Sequence, residues 1–499
     1  MKPVNLYEFS KTFFLSEKPL AVYERFSSQR GKNIRIKNRE IETIQKFISV
    51  LSDSVSLENW DGFYYSFSIP QISKEFDLLK LGNDKILNIE LKSEFTSDEK
   101  LLKQLLNNNH YLSHLNKPVI EIEYVADRNI FYILKDGSLA ETDVKTVAKI
   151  IKDVKDFYDG DIESLFKPSQ FLVSPVNTPD KFLSGNYFLT DHQETIRNAI
   201  IEDRKICNDT YSFYEVTGGA GTGKTLLIYD IAKSFAQTKR ICVIHCASLS
   251  AGHYYLNENL NNITIYPVKD LYAIDFGKFD GFVIDESHRL HGGQLPFICD
   301  KVKTLNKFCV FGADGEQFLT KTEAAEKTSE KIFNIGQCKH YKLTNKIRTN
   351  PELADFIHLL RKINEPVKTK SFPNVKVIYA DTYEYANELI KKYAAKGYKY
   401  INYTPSACYD NNTDATYSEN TYKVIGQEFD NVLMVINESF KYTDDGRLGA
   451  YEHPVTEYIF TQLLYQGLTR VREKLMIIVL NNQTLFEKLL GAIKRASKY

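Results

Sequence analysis

The chain has 499 residues, 43% hydrophobic and 26% charged, which is the balance of a soluble globular protein and too much chain for one ordinary domain. Lys plus Arg equals Asp plus Glu at 64 each, so there is no bulk basic footprint, and any positive potential for nucleic acid has to be confined to one channel. Seven cysteines with no Cys-x-x-Cys pair exclude zinc ribbons and disulfide scaffolds, and no apolar stretch approaches membrane-spanning length. The opening residues lack the apolar core of a signal peptide, so a cytoplasmic protein without membrane contact is expected.

In residues 40–51, Ile44, Phe47, Ile48 and Leu51 recur at helical spacing. Glu40 shares their face and, as an acid on a buried face, needs a partner; Glu42 points to the opposite, solvated side. The basic residues Arg30, Lys32, Arg35, Lys37 and Arg39 suit a nucleic-acid contact and a solvated face equally. Trp60 and most tyrosines are expected in the core. Residues 76–81 and 86–92 read as two strands joined by a two-residue turn at Asn83-Asp84. That register sets Asp77 directly opposite Glu90, with Cβ atoms about 5 Å apart. Lys92 shares their face, while Leu87, Ile89 and Leu91 fill the other. Facing carboxylates repel unless a cation lies between them, which a divalent metal supplies. The alternative is a surface hairpin with charges on its wet face. A helical run over 103–112 follows, with Gln104 and Tyr111 read first as polar-surface and core residues.

An acid on one strand and acid-x-Lys on the next resemble the PD-(D/E)xK nuclease superfamily, without the proline of that motif. The flanking pattern is similar to nuclease-related domains fused to bacterial helicases. The resemblance implies a restriction-endonuclease-like α/β domain over 1–165 that cuts phosphodiesters. Its Mg2+ (Mn2+ as the alternative) would be held by Asp77, Glu90 and Glu40, with Lys92 catalytic. It also gives Gln104 and Tyr111 a counterpart in a helix motif of some such nucleases.

Residues 166–186 hold Pro168, Pro175, Pro179, Ser174, Ser184 and Gly185, which suits an exposed linker. Beyond it, apolar runs at 241–244, 281–284 and 308–311 alternate with helical segments, the pattern of a parallel α/β sheet. Cys242 and Cys246 on one such run read as small buried hydrophobes. Gly218-Gly219-Ala220-Gly221-Thr222-Gly223-Lys224-Thr225 is a full phosphate-loop match between a strand-like run and a helix start. Gly218, Gly219, Gly221 and Gly223 let backbone amides turn toward an anion at a helix N-terminus. Lys224 is expected to reach the β- and γ-phosphates of ATP, and Thr225 to ligate Mg2+. The apolar run 282–284 ends in Asp285-Glu286, where Asp285 holds the metal and Glu286 polarises the attacking water.

These landmarks, with those that follow, resemble the superfamily 1 helicases in order and spacing. The pattern looks similar to a family of P-loop helicase domains of unassigned function allied to the helicase part of the Schlafen proteins. The resemblance spans about residues 187–482. Tyr187-Phe188-Leu189-Thr190-Asp191-His192-Gln193 is similar to the Q-motif, which makes Gln193 the adenine reader. Gly312-Ala313-Asp314-Gly315-Glu316-Gln317 resembles G-D-x-x-Q with one insertion, which makes Gln317 a γ-phosphate sensor. Leu343-Thr344-Asn345-Lys346-Ile347-Arg348-Thr349 and Tyr465-Gln466-Gly467-Leu468-Thr469-Arg470 resemble the segments whose arginines, here Arg348 and Arg470, face the phosphates from the second lobe. Thr421 through Asp430 resembles the Q-G-x-E motif, keeping Gly426 and Glu428 but with Ile425 where a polar residue is usual.

The expected architecture is therefore α/β: two RecA-like parallel-sheet lobes, at 187–335 and 336–499, plus the N-terminal domain. The expected activity is ATP-driven translocation on nucleic acid, DNA ahead of RNA, coupled to a nuclease in bacterial genome defence or DNA processing, with room for a partner protein or homo-oligomer. Short gaps between motifs leave no place for bulky inserted subdomains, so ATP hydrolysis is expected ahead of processive unwinding. The rival from another class is a nucleotide-gated switch whose N-terminal domain binds without cutting.

Overall fold

The computed structural model describes residues 1–499 except 31–37, 70–73, 167–170, 172, 208–209, 220, 316, 345–349, 404–417, 422–423, 452–455 and 498–499. The chain divides into two compact units, Met1–Phe171 and Leu172–Tyr499. In the first unit the apolar spacing resolves as expected into the helix Asn38–Leu51, which buries Ile44, Phe47, Ile48 and Leu51 and leaves Glu42 exposed. That face packs on a six-stranded sheet of β1 (Phe63–Ser68), β2 (Glu75–Leu81), β3 (Ile86–Lys92), β4 (Val119–Val125), β5 (Ile130–Lys135) and β6 (Ser138–Thr142), ordered as in the chain. Trp60, 1% exposed, meets Phe47 edge-on at 5.9 Å within this core.

The β2–β3 hairpin has the predicted register, Leu78 facing Ile89 and Lys80 facing Leu87, and Gly82 N–H donates to Lys85 O (2.9 Å) across the turn. Leu87 and Ile89 enter the core with Leu78. β3 and β4 are parallel, which requires a crossover, and the helix Asp98–Ser113 supplies it. Its start is fixed by the Ser97 side chain, which accepts from Lys100 N–H, and by Asp98 and Glu99 in the first turn. The parallel register sets Asn88 beside Glu121 and Glu90 beside Glu123.

The second unit holds two parallel sheets. One is built from β7 (Ser212–Thr217), β8 (Ile241–His245), β9 (Ile263–Pro267), β10 (Gly281–Asp285), β11 (Phe308–Ala313) and β12 (Cys338–Lys342), in the order β12-β7-β11-β10-β8-β9. The other contains β13 (Val375–Ala380), β14 (Lys399–Asn402), β15 (Ser418–Asn420), β16 (Phe429–Ile436) and β19 (Val471–Leu480), in the order β13-β19-β16-β14-β15. Between β16 and β19 in the chain lies a separate hairpin, β17 (Phe440–Tyr442) with β18 (Leu448–Ala450). The central strands are buried on both faces, which is why they read as unbroken apolar runs. Cys242, fully buried on β8, serves as core, as does Cys246 just beyond it.

Two expected boundaries are corrected. Within 166–186, expected as an exposed linker, Val173 and Phe182 are buried in the core beneath the first sheet, and Phe182 stacks on Tyr187 at 5.2 Å. The first lobe does not end at 335, because β12 pairs in parallel with β7 and Leu343 enters the same core. Among the described residues, no helix is long and apolar enough to cross a membrane.

Candidate functional sites

In a parallel α/β sheet, ligands collect beyond the C-terminal ends of the strands. β7 runs there into the phosphate loop, β10 ends at Asp285, β8 at His245 and β11 leads into Asp314. The loop's backbone dictates its glycines. Gly221 and Gly223 take φ of +76° and +82°, which side chains resist. A Cβ on Gly218 would sit 2.6 Å from Thr222 Oγ1 and 3.0 Å from Leu343 Cβ, whereas one on Gly219 would meet nothing. The helix Lys224–Phe235 starts immediately after, so its free amides face the loop.

Lys224 Nζ donates to Gly218 O (2.6 Å) and Gly219 O (3.1 Å) and pairs with Asp314 Oδ2 at 3.3 Å. Thr225 Oγ1 donates to Asp285 Oδ1 at 3.4 Å; this hydroxyl and carboxylate are the hard oxygen donors that suit Mg2+. Asp314 N–H donates to His288 Nδ1 (3.1 Å), which leaves the His288 Nε2 proton facing Glu286 Oε2 at 3.4 Å. Burial opposes ionisation of Glu286, but His288, Lys224, Arg470 and His245 outweigh it and hold the carboxyl at about 2. Glu286 is thus a carboxylate at neutral pH, in a left-handed backbone conformation (φ +56°) that turns it off the strand.

Arg470, from the second sheet's side, is 7% exposed and anchored through Nε to Gln466 O (3.2 Å) and through a terminal nitrogen to Gln427 O (3.3 Å). Its charge reaches Glu286 across the lobes. Gly426 approaches the first lobe too: a Cβ there would lie 3.6 Å from His245 Cε1. Glu428 is half-buried just beyond Gly426. Ile425, where a polar residue was expected, is 3% exposed in the second lobe's core, which accounts for the departure. Gln317 is 7% exposed, its N–H donating to Asp314 O at 3.4 Å.

Gln193, expected to read adenine, lies against the phosphate loop. Its Oε1 accepts from Thr190 N–H (3.0 Å), its Nε2 donates to Thr222 O (3.3 Å), and it is 1% exposed. The Nε2 end braces the phosphate loop through Thr222, and the Oε1 end caps the start of its own helix through Thr190. Arg348 lies outside the described residues, as does Ala220 of the loop. Asp314, His288 and His245 received no role from the sequence, although Asp314 stands inside the segment that resembles G-D-x-x-Q.

In the first unit, Asp77 Oδ2 accepts from Leu91 N–H at 2.8 Å. Burial, then the Glu90 charge, pushes Asp77 up to about 8, against the opposing Leu91 amide and Lys92. Glu40, Asp77 and Lys92 line one cavity of about 220 Å3, together with Arg39 and Ser66. Glu90 sits behind it, 2% exposed, accepting from Asn108 Nδ2 (2.7 Å) and Gln104 Nε2. Gln104 therefore belongs to the site, whereas Tyr111 packs on Phe171 at 5.2 Å as core. Glu121 and Glu123 on β4 are fully buried beside these groups, and Lys92 Nζ stands 3.8 Å from Glu123. Among the described residues no three His, Cys, Asp or Glu side chains are set to hold a metal ion. Arg30 binds Glu24 (3.1 Å) and the carbonyls of Tyr65 and Ser66, a structural use; Lys32, Arg35 and Lys37 lie outside the described residues.

Residues 215–479, just over half of the chain, match the family described as the viral superfamily 1 RNA helicase core domain. The chain belongs to that family. No curated protein matches it. Among solved structures, it is similar to Pif1 helicase from Bacteroides in complex with ADP-AlF3 and ssDNA, at 14% identity and a TM-score of 0.35, covering 62% of this chain and 98% of that one. A structure of two coordinating Pif1 helicases at forked dsDNA aligns at 15% identity and a TM-score of 0.35, over 62% and 97%. The Pyrococcus furiosus Hef helicase domain aligns at 12% and 0.29, over 60% and 97%. The match covers residues 215–479 of the 187–482 over which the sequence resembles the superfamily 1 helicases.

Proposed function

We propose that this superfamily 1 chain hydrolyses ATP in the cleft between its two parallel-sheet lobes and uses the cycle to move on nucleic acid. The observation that carries the reading is the phosphate loop at the strand ends, where Lys224 pairs with Asp314, Thr225 bonds Asp285, and the Gly426 turn of the second lobe approaches His245 beside them. In this reading Lys224 binds the β- and γ-phosphates, releasing Asp314. Thr225 and Asp285 would hold Mg2+, which screens phosphate charge when bound. Glu286, ionised, accepts the proton of the attacking water, and Arg470 neutralises charge that builds on the γ-phosphoryl oxygens. Arg348 is proposed as a second arginine on the motif alone, with Gln317, Gly426 and Glu428 completing the nucleotide side. Gln193 acts through the loop. Nucleotide state then sets lobe separation, and that displacement is the step along the strand. DNA is proposed ahead of RNA, although the family's description names RNA helicases. The test is ATP turnover with and without single-stranded DNA or RNA: several-fold stimulation supports a motor, and indifference to both supports a nucleotide-gated switch.

We further propose that the first unit is a PD-(D/E)xK-like nuclease. Glu40, Asp77 and Lys92 around one cavity, with Glu90 held behind, support it. Mg2+ or Mn2+ would be held by the acids, and Lys92 would orient water. Two observations favour a binding, non-cleaving unit: Glu90 already accepts from three amides, those of Asn88, Gln104 and Asn108, and among the described residues no three His, Cys, Asp or Glu side chains are set to hold a metal ion. Cleavage of plasmid and single-stranded substrates by wild type, Asp77→Ala and Lys92→Ala decides between them, since unchanged cleavage in both variants removes the assignment. A role in bacterial genome defence or DNA processing is the setting proposed for the pair of activities.

A further inference from the structure

A buried imidazole stands where the two lobes approach the metal-site carboxylate, and no motif accounts for it. His245 ends β8 in register with Asp285 at the end of β10. It is fully buried, and its Nδ1 lies 3.2 Å from Asp285 Oδ2. A carboxylate only accepts, so Nδ1 carries the proton and donates it. The other oxygen, Oδ1, accepts from Thr225 Oγ1 (3.4 Å) and from Glu286 N–H (3.1 Å). Asp285 is thereby held at both ends, one oxygen toward the phosphate loop and one toward His245.

The ring is itself boxed in. His253, fully buried, lies against it with centroids 4.4 Å apart. Its Nδ1 accepts from Ser250 N–H at 3.1 Å, which ties it to the start of the helix Ala251–Asn259. The first turn of that helix lies close against the Val176 backbone, since a Cβ on Gly252 would overlap Val176 O. From the second lobe, Gly426 covers His245 Cε1. The Nε2 atoms of both histidines are buried and have no hydrogen-bond partner among the described residues.

We infer that His245 is a positioning residue for the nucleotide's metal: it fixes the rotation of the Asp285 carboxylate, and the Gly426 turn of the second lobe packs against the ring that does so. The inference rests on the proposed ATP site. It gives the approach of the second lobe a direct route to the metal side of the phosphate loop, separate from Arg470. Partners that orient a metal-side carboxylate typically change metal affinity about 10–100-fold when removed.

The test titrates Mg2+ against the full chain carrying a fluorescent ADP analogue, with the analogue's affinity in EDTA measured alongside. His245→Ala is expected to raise the half-saturating Mg2+ about 10-fold or more while leaving affinity in EDTA unchanged. His245→Asn places an amide N–H near the Nδ1 position and is expected to restore the wild-type value to within about threefold; His245→Gln reaches the Nε2 position instead and is expected to behave as the alanine variant. Should the alanine variant fail to fold, the Asn and Gln variants decide. Equal Mg2+ dependence in Asn and Gln, or an alanine variant like wild type, overturns the inference. Wild-type chain that binds no ADP analogue at all removes the ATP-site reading, and this inference with it.

Discussion

Replacing Glu123 by glutamine tests whether the first unit's acidic cluster is built as described. Glu123 is fully buried. Burial, opposed by Lys92 and reinforced by Glu90 and Asp77, pushes its carboxyl up to about 8 from an ordinary value of 4.5. The folded form therefore keeps a proton that the unfolded chain releases, so this contribution is whole below pH 4.5 and is lost as pH rises toward 8. At about 1.4 kcal/mol per pK unit the ceiling at pH 8 is roughly 5 kcal/mol. Asp77 and Glu90 share the same field, and we take roughly 2 kcal/mol for the single substitution, which keeps the shape and removes the ionisation. In a domain of this size that is a rise of about 4–8 °C in the unfolding midpoint at pH 8, shrinking below about 1 kcal/mol near pH 4.5. Trp60 is the chain's single tryptophan and is buried in the first unit, so its fluorescence during heating reports that unit alone. A Glu123→Gln midpoint at pH 8 equal to or below that of wild type would refute the reasoning.

Three further substitutions follow from the contacts. Asn108→Ala leaves the buried Glu90 carboxylate short of a donor and should cost the first unit about 1–3 kcal/mol, read as a lower Trp60 midpoint at neutral pH. Gly218→Ala forces a Cβ against Thr222 and Leu343, and equilibrium binding should show at least a roughly 10-fold loss of ATP affinity with the fold retained; unchanged affinity would mean the loop adopts another shape. Gln193→Ala should weaken ATP and GTP alike by several-fold, because the side chain braces Thr222, whereas a selective loss of ATP would support its expected role as adenine reader.

The hairpin of the first unit was legible because strand period and turn chemistry act locally, and they set both the register and the Asp77–Glu90–Lys92 face. The burial of Glu121 and Glu123 was not, since acids alternating with apolar residues on β4 read as a wet face until a helix crossover lays that strand beside β3. β12 escaped for the opposite reason: Cys338–Lys342 is a polar edge strand with no apolar pattern, and only its pairing with β7 assigns it to the first lobe. In 166–186, proline and serine content masked Val173 and Phe182, whose burial depends on surfaces formed elsewhere. The phosphate loop and the Asp285-Glu286 pair declared themselves because their chemistry is contiguous in sequence. Asp314, His288 and His245 did not, because each acts through a neighbour that only the sheet brings near.

The measurement that bears most directly on the two-lobe ATP site is turnover by Arg470→Ala with nucleotide binding followed in parallel. Binding of ATP within about threefold of wild type, with hydrolysis slowed by roughly 1,000-fold or more, is the predicted result. Hydrolysis at the wild-type rate with Arg470 gone would contradict it.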